Sequence, residues 1–184
     1  MHVLAFTASN SSTSINQRLV DHAVDVLGGL VSSTGEELTV ATIDMNDFEM
    51  PLYSQDRQAA DGIPEPAHRF RETIGAADAV IASFPEHNGG LPAAYKNLYD
   101  WTSRIDMNVW QGARMVLMAT SPGGRGGKGV LDHVAMVTPF FGGDVRGVVS
   151  VPSFHANFDA EAGALTDEAL ATELRTALEA LVGD

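Results

Sequence analysis

The chain contains no cysteine, only two lysines and no long apolar run. Without cysteine, disulfides, thiolate nucleophiles and thiolate metal ligands are all excluded. The 24 acidic residues outnumber the 11 basic ones, which gives a formal net charge of −13. Such a charge repels phosphate backbones and anionic lipid surfaces unless a basic patch is present, and none is visible in the sequence. We therefore expect no nucleic-acid partner, no membrane partner and no metal site.

The amino terminus, MHVLAFTAS, has no basic segment followed by an apolar stretch. This pattern excludes a recognisable signal peptide, and the lack of a long apolar run excludes a membrane-spanning helix. A cytoplasmic location is the default expectation. With 184 residues, of which 45% are hydrophobic, the chain is long enough for one well-buried core and short for two. We expect a single domain over residues 1–184.

Five short apolar segments are predicted to be strands. Their nearly unbroken, β-branched character is typical of strands that are covered on both faces, as in a parallel sheet. The segments are residues 2–6, 37–43, 78–84, 113–120 and 144–151.

Segments with helical spacing of apolar residues separate these strands. Ser14, with Gln17 three residues later, predicts a capping box and a helix that begins at residue 14 or 15. Alternating strands and helices predict a doubly wound α/β fold. The other helices are predicted near residues 66–76, 93–104 and 128–141 and at the carboxyl terminus, whereas residues 44–65 have no clear period and predict an irregular excursion.

The loop after the first strand is rich in hydroxyl and amide side chains. Residues 7–16 read TASNSSTSIN and run directly into the first predicted helix. A helix amino terminus offers unpaired N–H groups and a partial positive charge, so this composition favours a bound phosphate dianion. The alternative is simple capping of the helix by Ser14.

The loop after the fourth strand is rich in glycine. Gly124, Gly126 and Gly129 match a G-x-G-x-x-G spacing, but a dinucleotide-binding fingerprint belongs after the first strand. A P-loop that binds a nucleoside triphosphate is excluded, because its lysine is followed by Ser or Thr, whereas glycine follows Lys128 here. Two interpretations stay open, namely a backbone that can approach a flat ligand and a plain surface loop.

Ser121 in this loop raises a competing hypothesis. Its setting, ATSPG, resembles a small-residue nucleophile elbow, and His133 or His155 could complete a hydrolase triad. The elbow requires a helix directly after the serine, whereas Pro122 and two glycines follow here. The hydrolase hypothesis is therefore poorly supported by the sequence.

The loop after the third strand, PEHNGG at residues 85–90, precedes a predicted helix that contains AAYKNLYDW. A tight turn explains Asn88 and Gly89 alone. The whole stretch resembles the signature of the NAD(P)H-dependent FMN reductase family, P-E-Y-N-x-S/G-x-P-x-x-x-K-N-x-x-D-W. The matching residues are Pro85, Glu86, Asn88, Gly89, Pro92, Lys96, Asn97, Asp100 and Trp101.

The first loop also resembles that family's phosphate motif, G-S-x-R-x-x-S-x-N, and the resemblance extends over roughly residues 3–130. Ser9, Ser14 and Asn16 match the motif, whereas Ala8 replaces the usual glycine and Ser11 the usual arginine. In the third-strand motif, His87 replaces the usual tyrosine.

The resemblance implies a three-layer, flavodoxin-like fold with five parallel strands in the order 2-1-3-4-5. It places the FMN phosphate in the first loop, the isoalloxazine ring along the third-strand loop and the glycine-rich loop beside the other polar edge of the ring. The implied cofactor contacts are Ser9, Ser11, Ser14, Ile15, Asn16, Pro85, Glu86, His87, Asn88, Gly89, Ser121, Gly123 and Gly124.

The implied function is an FMN-dependent oxidoreductase. Hydride from NADPH or NADH passes through flavin N5 to a flavin, a quinone or a similar small acceptor, and no side chain acts as a catalyst. The family also implies a homodimer or tetramer in which the helix after the third-strand loop forms part of the interface. A flavodoxin-type electron carrier is the main alternative, and a serine hydrolase that uses Ser121 is the weaker one.

Overall fold

A five-stranded parallel sheet forms the centre of the computed structural model, which describes residues 1–34 and 37–183. The strand order is β2-β1-β3-β4-β5, as predicted. The strands are β1 (His2–Thr7), β2 (Thr39–Thr42), β3 (Ala79–Ser83), β4 (Arg114–Thr120) and β5 (Asp144–Val151).

Burial along the strands follows their position in the sheet. All five residues of β3 and six of the seven residues of β4 are buried, which explains why these segments are almost entirely apolar. β2 lies at the edge and buries none of its four residues. The predicted second strand, residues 37–43, is correspondingly longer than the observed one.

Helices cover both faces of the sheet and create two apolar cores. One face carries α1 (Ile15–Thr34) and α7 (Glu168–Val182), and the other carries α3 (Glu65–Gly75), α4 (Ala93–Ile105) and α5 (Lys128–Val137). Alternate residues of β1 supply the two cores, because Val3 points to α1 and α7 while Leu4 points to the other helices. The predicted three-layer arrangement is confirmed.

The excursion at residues 44–65 is more regular than predicted. It contains a 3₁₀ helix, Met45–Phe48, and a short helix α2 (Gln55–Asp61). Local hydrogen bonds cap both elements, from Asn46 N to the Asp44 side chain and from Arg57 N to Ser54 Oγ. Elements of one or two turns are too short to produce a readable hydrophobic period.

Two details of the helix predictions are wrong. The predicted helix at 128–141 ends at Val137 and continues as a 3₁₀ turn, Thr138–Phe141, in which Pro139 lacks the N–H that an α-helix needs. The predicted capping box is absent from the described part of the chain. The Gln17 amide group does not turn back to the helix start but donates from Nε2 to Asp21 Oδ1 at 2.8 Å.

Small elements complete the fold after β5. A single turn, α6 (Phe154–Asn157), leads into a two-stranded antiparallel ribbon of β6 (Phe158–Asp159) and β7 (Ala164–Leu165). No helix within residues 1–34 and 37–183 is long and apolar enough to cross a membrane.

Candidate active site

The loops after β1, β3 and β4 meet at the carboxyl edge of the sheet, and the Asn16 side chain joins them. Asn16 is only 3% exposed. Its Oδ1 accepts hydrogen bonds from Ser83 Oγ (2.8 Å) and Thr120 N (3.0 Å), and its Nδ2 donates to Thr120 O (3.1 Å). The start of α1 is thereby anchored to the ends of β3 and β4. Nδ2 donates one hydrogen bond among the described residues, although the amide group carries two N–H donors.

The loop after β1 is held by its own hydroxyl groups. Ser9 is buried, and its Oγ accepts from Ser11 N at 3.1 Å. Ser11 Oγ lies 3.3 Å from Thr13 Oγ1, and Ser14 N donates to Ser11 O. Ser11 and Thr13 are exposed, directly before the first unpaired N–H groups of α1. The loop therefore presents hydroxyl and backbone donors to solvent at a helix start.

The loop after β3 forms a two-residue hairpin turn. His87 and Gly90 exchange two backbone hydrogen bonds, of 2.9 and 3.0 Å. Between them, Asn88 has φ 53° and Gly89 has φ 81°, and positive φ at both central residues is the signature of a type I′ turn, for which Asn-Gly is the preferred sequence. The turn therefore explains Asn88 and Gly89, and it leaves His87, Asn88 and Gly89 exposed.

Glu86 makes a contact that the sequence did not reveal. Its Oε2 accepts a 3.0 Å hydrogen bond from Val130 N, the third residue of α5. The N-cap residue of α5 is Gly127, which has no side chain to offer. Glu86, predicted as a cofactor contact, ties the β3 loop to the helix that follows the glycine-rich loop.

The glycine-rich loop contains two different pairs of glycines. A Cβ at Gly126 would lie 2.4 Å from Ser150 Oγ, and one at Gly127 would lie 3.0 Å from Ala119 Cβ. At Gly123 and Gly124, by contrast, a Cβ would meet no heavy atom of the described chain within 4 Å. Gly124 also lines an open cavity of about 500 Å³. Only the second pair therefore leaves its backbone accessible to a ligand.

The position of Ser121 does not support a hydrolase. Its Oγ donates to Gly123 O at 3.1 Å, and no hydrogen bond joins it to a histidine within the described ranges. The next helix of the chain, α5, begins only at Lys128. The strand–nucleophile–helix geometry of an elbow is thus missing.

The second half of the family signature has a structural role in α4. Asn97 Oδ1 accepts from Tyr53 N at 2.9 Å, and its Nδ2 donates to the carbonyls of Met50 and Pro51. Trp101 Nε1 donates to Pro51 O at 2.7 Å. These bonds hold residues 50–53 of the excursion against α4, while Lys96 and Asp100 form an ion pair on the helix surface.

A groove runs between α4 and α5. It contains a cavity of about 270 Å³ that Tyr99, Trp110 and Phe141 help to line. Burial raises the pKa of the Tyr95 and Tyr99 hydroxyls well above the usual value for tyrosine, so both are neutral phenols at physiological pH. Tyr99 Oη and Trp110 Nε1 are both buried, and a hydrogen bond from the Trp110 side chain opposes the rise in the pKa of Tyr99.

Together these features define a class of protein. A doubly wound parallel sheet in the order 2-1-3-4-5 carries a hydroxyl-rich loop at its first helix start and two accessible glycine-containing loops at the same edge. Ligands of such sheets bind outside the carboxyl ends of the strands. The architecture is that of a flavodoxin-like protein.

Comparison with known proteins identifies the family. The family model described as NADPH-dependent FMN reductase matches residues 1–157, and the chain belongs to this family. The NAD(P)H-dependent FMN reductase PA1204 of Pseudomonas aeruginosa is 32% identical over 171 residues, covering 91% of this chain and 86% of the relative. An NADPH:quinone oxidoreductase of Arabidopsis thaliana is 29% identical and covers 98% of this chain and 90% of its own length.

Solved structures agree with this assignment. FerB, a flavoenzyme NAD(P)H:(acceptor) oxidoreductase from Paracoccus denitrificans, superimposes with a TM-score of 0.70 at 27% identity, over 98% of this chain and 94% of its own. The predicted family and fold are confirmed. As a member of this family the protein is an oxidoreductase with FMN as its cofactor and NAD(P)H as its hydride donor.

Proposed function

We propose that the protein transfers hydride from NAD(P)H to a small quinone-type or flavin-type acceptor, with FMN held by the loops after β1, β3 and β4. The observation that carries this proposal is the exposed pair Gly123 and Gly124. Packing within the described chain does not require glycine at either position, because an added Cβ would meet no heavy atom within 4 Å. When bound, FMN supplies the hydride chemistry. The protein binds and orients the cofactor.

The phosphate end of the site is assigned to the β1 loop. Ser9, Ser11 and Ser14 supply hydroxyls, and Ile15 and Asn16 lie at the start of α1, where N–H groups are unpaired. Because Ser11 stands where the family motif has arginine, no guanidinium from this position neutralises the phosphate. The helix amino terminus then provides the favourable charge.

The ring end is assigned to the other two loops. The β3 loop, in which Pro85 is buried and His87, Asn88 and Gly89 are exposed, forms one side. Ser121, Gly123 and Gly124 form the opposite side. Gly89 on one side and Gly123 and Gly124 on the other offer backbone that carries no side chain, as close approach to a flat ring requires.

Ser14→Ala tests the phosphate end. A charge-assisted hydrogen bond contributes about 1.5–3 kcal/mol, so the variant should weaken FMN binding by about tenfold or more. Riboflavin lacks the phosphate, and its affinity should not change. Titrations monitored by flavin fluorescence give both constants, with Ser12→Ala as a control because Ser12 is an exposed hydroxyl of the same loop outside the family motif. A wild-type protein that cannot be reconstituted with FMN contradicts the proposal.

Turnover separates an enzyme from an electron carrier. An enzyme of this class oxidises NADH or NADPH in the steady state when a quinone is added, whereas a carrier requires a separate reductase. The same assay decides between the two nicotinamide donors and compares quinones with free flavin as acceptors. A cytoplasmic location stays a prediction.

The homodimer predicted from the family is proposed to form through the α4–α5 groove. Met136 and Phe140 beside this groove are 61% and 80% exposed, large values for apolar side chains. Met136→Asp combined with Phe140→Asp should give monomers in light scattering, whereas Thr176→Asp on α7, across the sheet, should not. Because each copy carries a charge of −13, added salt should strengthen association by screening repulsion. A wild-type monomer at micromolar concentration contradicts the dimer.

A further inference from the structure

The carboxylate of Glu86, in the loop after β3, caps α5, the helix that follows the glycine-rich loop after β4. The helices α2 and α7 are capped by the residues that directly precede them, Ser54 and Asp167. In α5 the preceding residue is Gly127, and the N–H of Val130 is satisfied by Glu86, which lies 44 positions earlier in the chain. A carboxylate at a helix amino terminus is also stabilised by the helix dipole.

Gly129 leaves space for this carboxylate beside the first turn of α5. A Cβ on Gly129 would lie 2.9 Å from Glu86 Oε2, and all three of its nearest atoms would belong to the Glu86 carboxyl group. The backbone of Gly129 is helical and does not itself require glycine. A side chain at this position would therefore compete for space with the Glu86 carboxylate.

The contact joins the two loops that are assigned to the ring of the cofactor. Glu86 directly precedes the hairpin turn at 87–90, and Val130 follows the glycine-rich loop. Val130 also lines a cavity of about 290 Å³ together with Gly89 and Gly90. The hydrogen bond thus ends beside a space that lies between the β3 turn, α4 and α5.

A second connection lies below the first. Asn16 joins Ser83 to Thr120, the last residues of β3 and β4. Asn16 sets the separation of the two loops where they leave the sheet, and Glu86 sets it again beyond the sheet. With one connection at the sheet edge and one beyond it, the two loops cannot rotate away from each other about a single point of attachment.

We propose that Glu86 is a positioning residue that holds the β3 loop and the glycine-rich loop at the spacing the isoalloxazine ring requires. This role rests on the proposed function, and the direct cofactor contact of Glu86 stays a prediction. The residue acts through the backbone of α5 and does not touch the reacting atoms. It belongs to the ring end of the site and is independent of the phosphate end.

Flavin binding to Glu86→Ala tests the proposal. Because the ring end is disturbed, FMN and riboflavin affinities should fall by the same factor, about five- to tenfold for the loss of a helix cap that positions the loop. The visible absorption and circular dichroism bands of the bound flavin should also change. Glu86→Gln keeps an oxygen acceptor for Val130 N and should restore most of the affinity and the wild-type bands.

Asp167→Ala is the matched control. Asp167 Oδ1 accepts from the N–H groups of Ala169 and Leu170 at the start of α7, so this variant also removes a capping carboxylate. It should lower the melting temperature of the apoprotein and leave flavin affinity and spectrum unchanged. If Glu86→Ala behaves in the same way as Asp167→Ala, Glu86 is only a helix cap and the proposal is overturned.

A double-mutant cycle with Gly129→Ala separates positioning from direct contact. In the wild-type background, the added methyl group should displace the Glu86 carboxylate and lower both the melting temperature and the flavin affinity. In the Glu86→Ala background the same change should be neutral or stabilising, because alanine favours helix over glycine. If Gly129→Ala is tolerated beside Glu86, or Glu86→Gln is as damaging as Glu86→Ala, the carboxylate does not act through α5.

The outcomes also distinguish this inference from the proposed function. If wild-type protein binds neither FMN nor riboflavin, the proposed function fails and the positioning role fails with it, although the coupling of Glu86 to Gly129 in melting temperature would persist. If wild-type protein binds both flavins and Ser14→Ala selectively weakens FMN, a lack of effect in Glu86→Ala overturns only the positioning role.

Discussion

Two pairs of glycines in one loop have different causes. Gly126 and Gly127 are buried, and a Cβ at either position would press against the ends of β4 and β5. Gly123 and Gly124, each three positions earlier than its counterpart, are exposed, and a Cβ at either would meet no heavy atom of the described chain within 4 Å. In the sequence the four residues are indistinguishable, since they form one run, GGRGG.

The comparison shows how a ligand site can be inferred from packing. A glycine that the fold needs is explained by a positive φ or by a close neighbour. A glycine that the fold does not need requires another explanation, and a flat ligand approaching the backbone is the one that agrees with the family. Substitutions in the first pair should therefore affect stability, and substitutions in the second pair should affect FMN binding.

Gly126→Ala should have the largest effect, and it acts on stability. The residue has φ 59°, and a Cβ would lie 2.4 Å from Ser150 Oγ and 2.9 Å from Pro152 N. Backbone strain and overpacking together should cost about 2–5 kcal/mol of unfolding free energy. Denaturant unfolding of the apoprotein measures this loss, and a loss below about 0.5 kcal/mol, the range of ordinary surface changes, would contradict the assignment.

Gly124→Val should affect binding instead. The free energy of unfolding of the apoprotein should stay within about 0.5 kcal/mol of wild type, as for most surface changes. FMN affinity should fall by about tenfold or more, because a branched side chain blocks the approach of the ring to the backbone. Calorimetric titration with FMN measures the affinity. Unchanged affinity would remove the main support for the proposed ring site.

Gly89 is the mixed case that sharpens the comparison. It has φ 81° but free space for a Cβ among the described residues. Gly89→Val should cost about 1–3 kcal/mol from backbone strain, and should also slow reduction of the bound flavin by NAD(P)H. Gly89→Asn is the control for the turn, because asparagine tolerates positive φ. Stopped-flow mixing with NAD(P)H measures the rate of flavin reduction. If Gly89→Asn has near-normal stability but a slow reduction rate, the added side chain, and not backbone strain, is the cause.

Gly123→Ala should have the smallest effect. The methyl group meets open space, and the Gly123 carbonyl can keep its hydrogen bonds from Ser121 Oγ and Ser153 N. Stability should change by less than about 0.5 kcal/mol, and FMN affinity by only about two- to threefold, because a methyl group is smaller than the valine side chain. A large loss of apoprotein stability would place Gly123 with the structural pair.

Most of the architecture was predictable from local patterns. Unbroken apolar segments identify buried parallel strands because both faces of such strands are covered, and helical spacing identifies the amphipathic helices between them. The short elements at Met45–Phe48 and Gln55–Asp61 were missed because one or two turns produce no period. Asn88 and Gly89 were correctly read as a tight turn, since their preference for positive φ is a property of the residues themselves.

The sequence by itself determined the alternation of strands and helices, the position of the loops at the sheet edge and the family motif, because these depend on residues close together in the chain. Only the tertiary structure decided which members of the motif face the site. Asn97 and Trp101 hold the excursion at residues 50–53 against α4. Asn16 bonds to Thr120 at the end of β4, 104 positions away, and Glu86 bonds to Val130 in α5, 44 positions away. Hydrogen bonds of this kind depend on how the ends of β3 and β4 are brought together in space, and no local pattern encodes that distance.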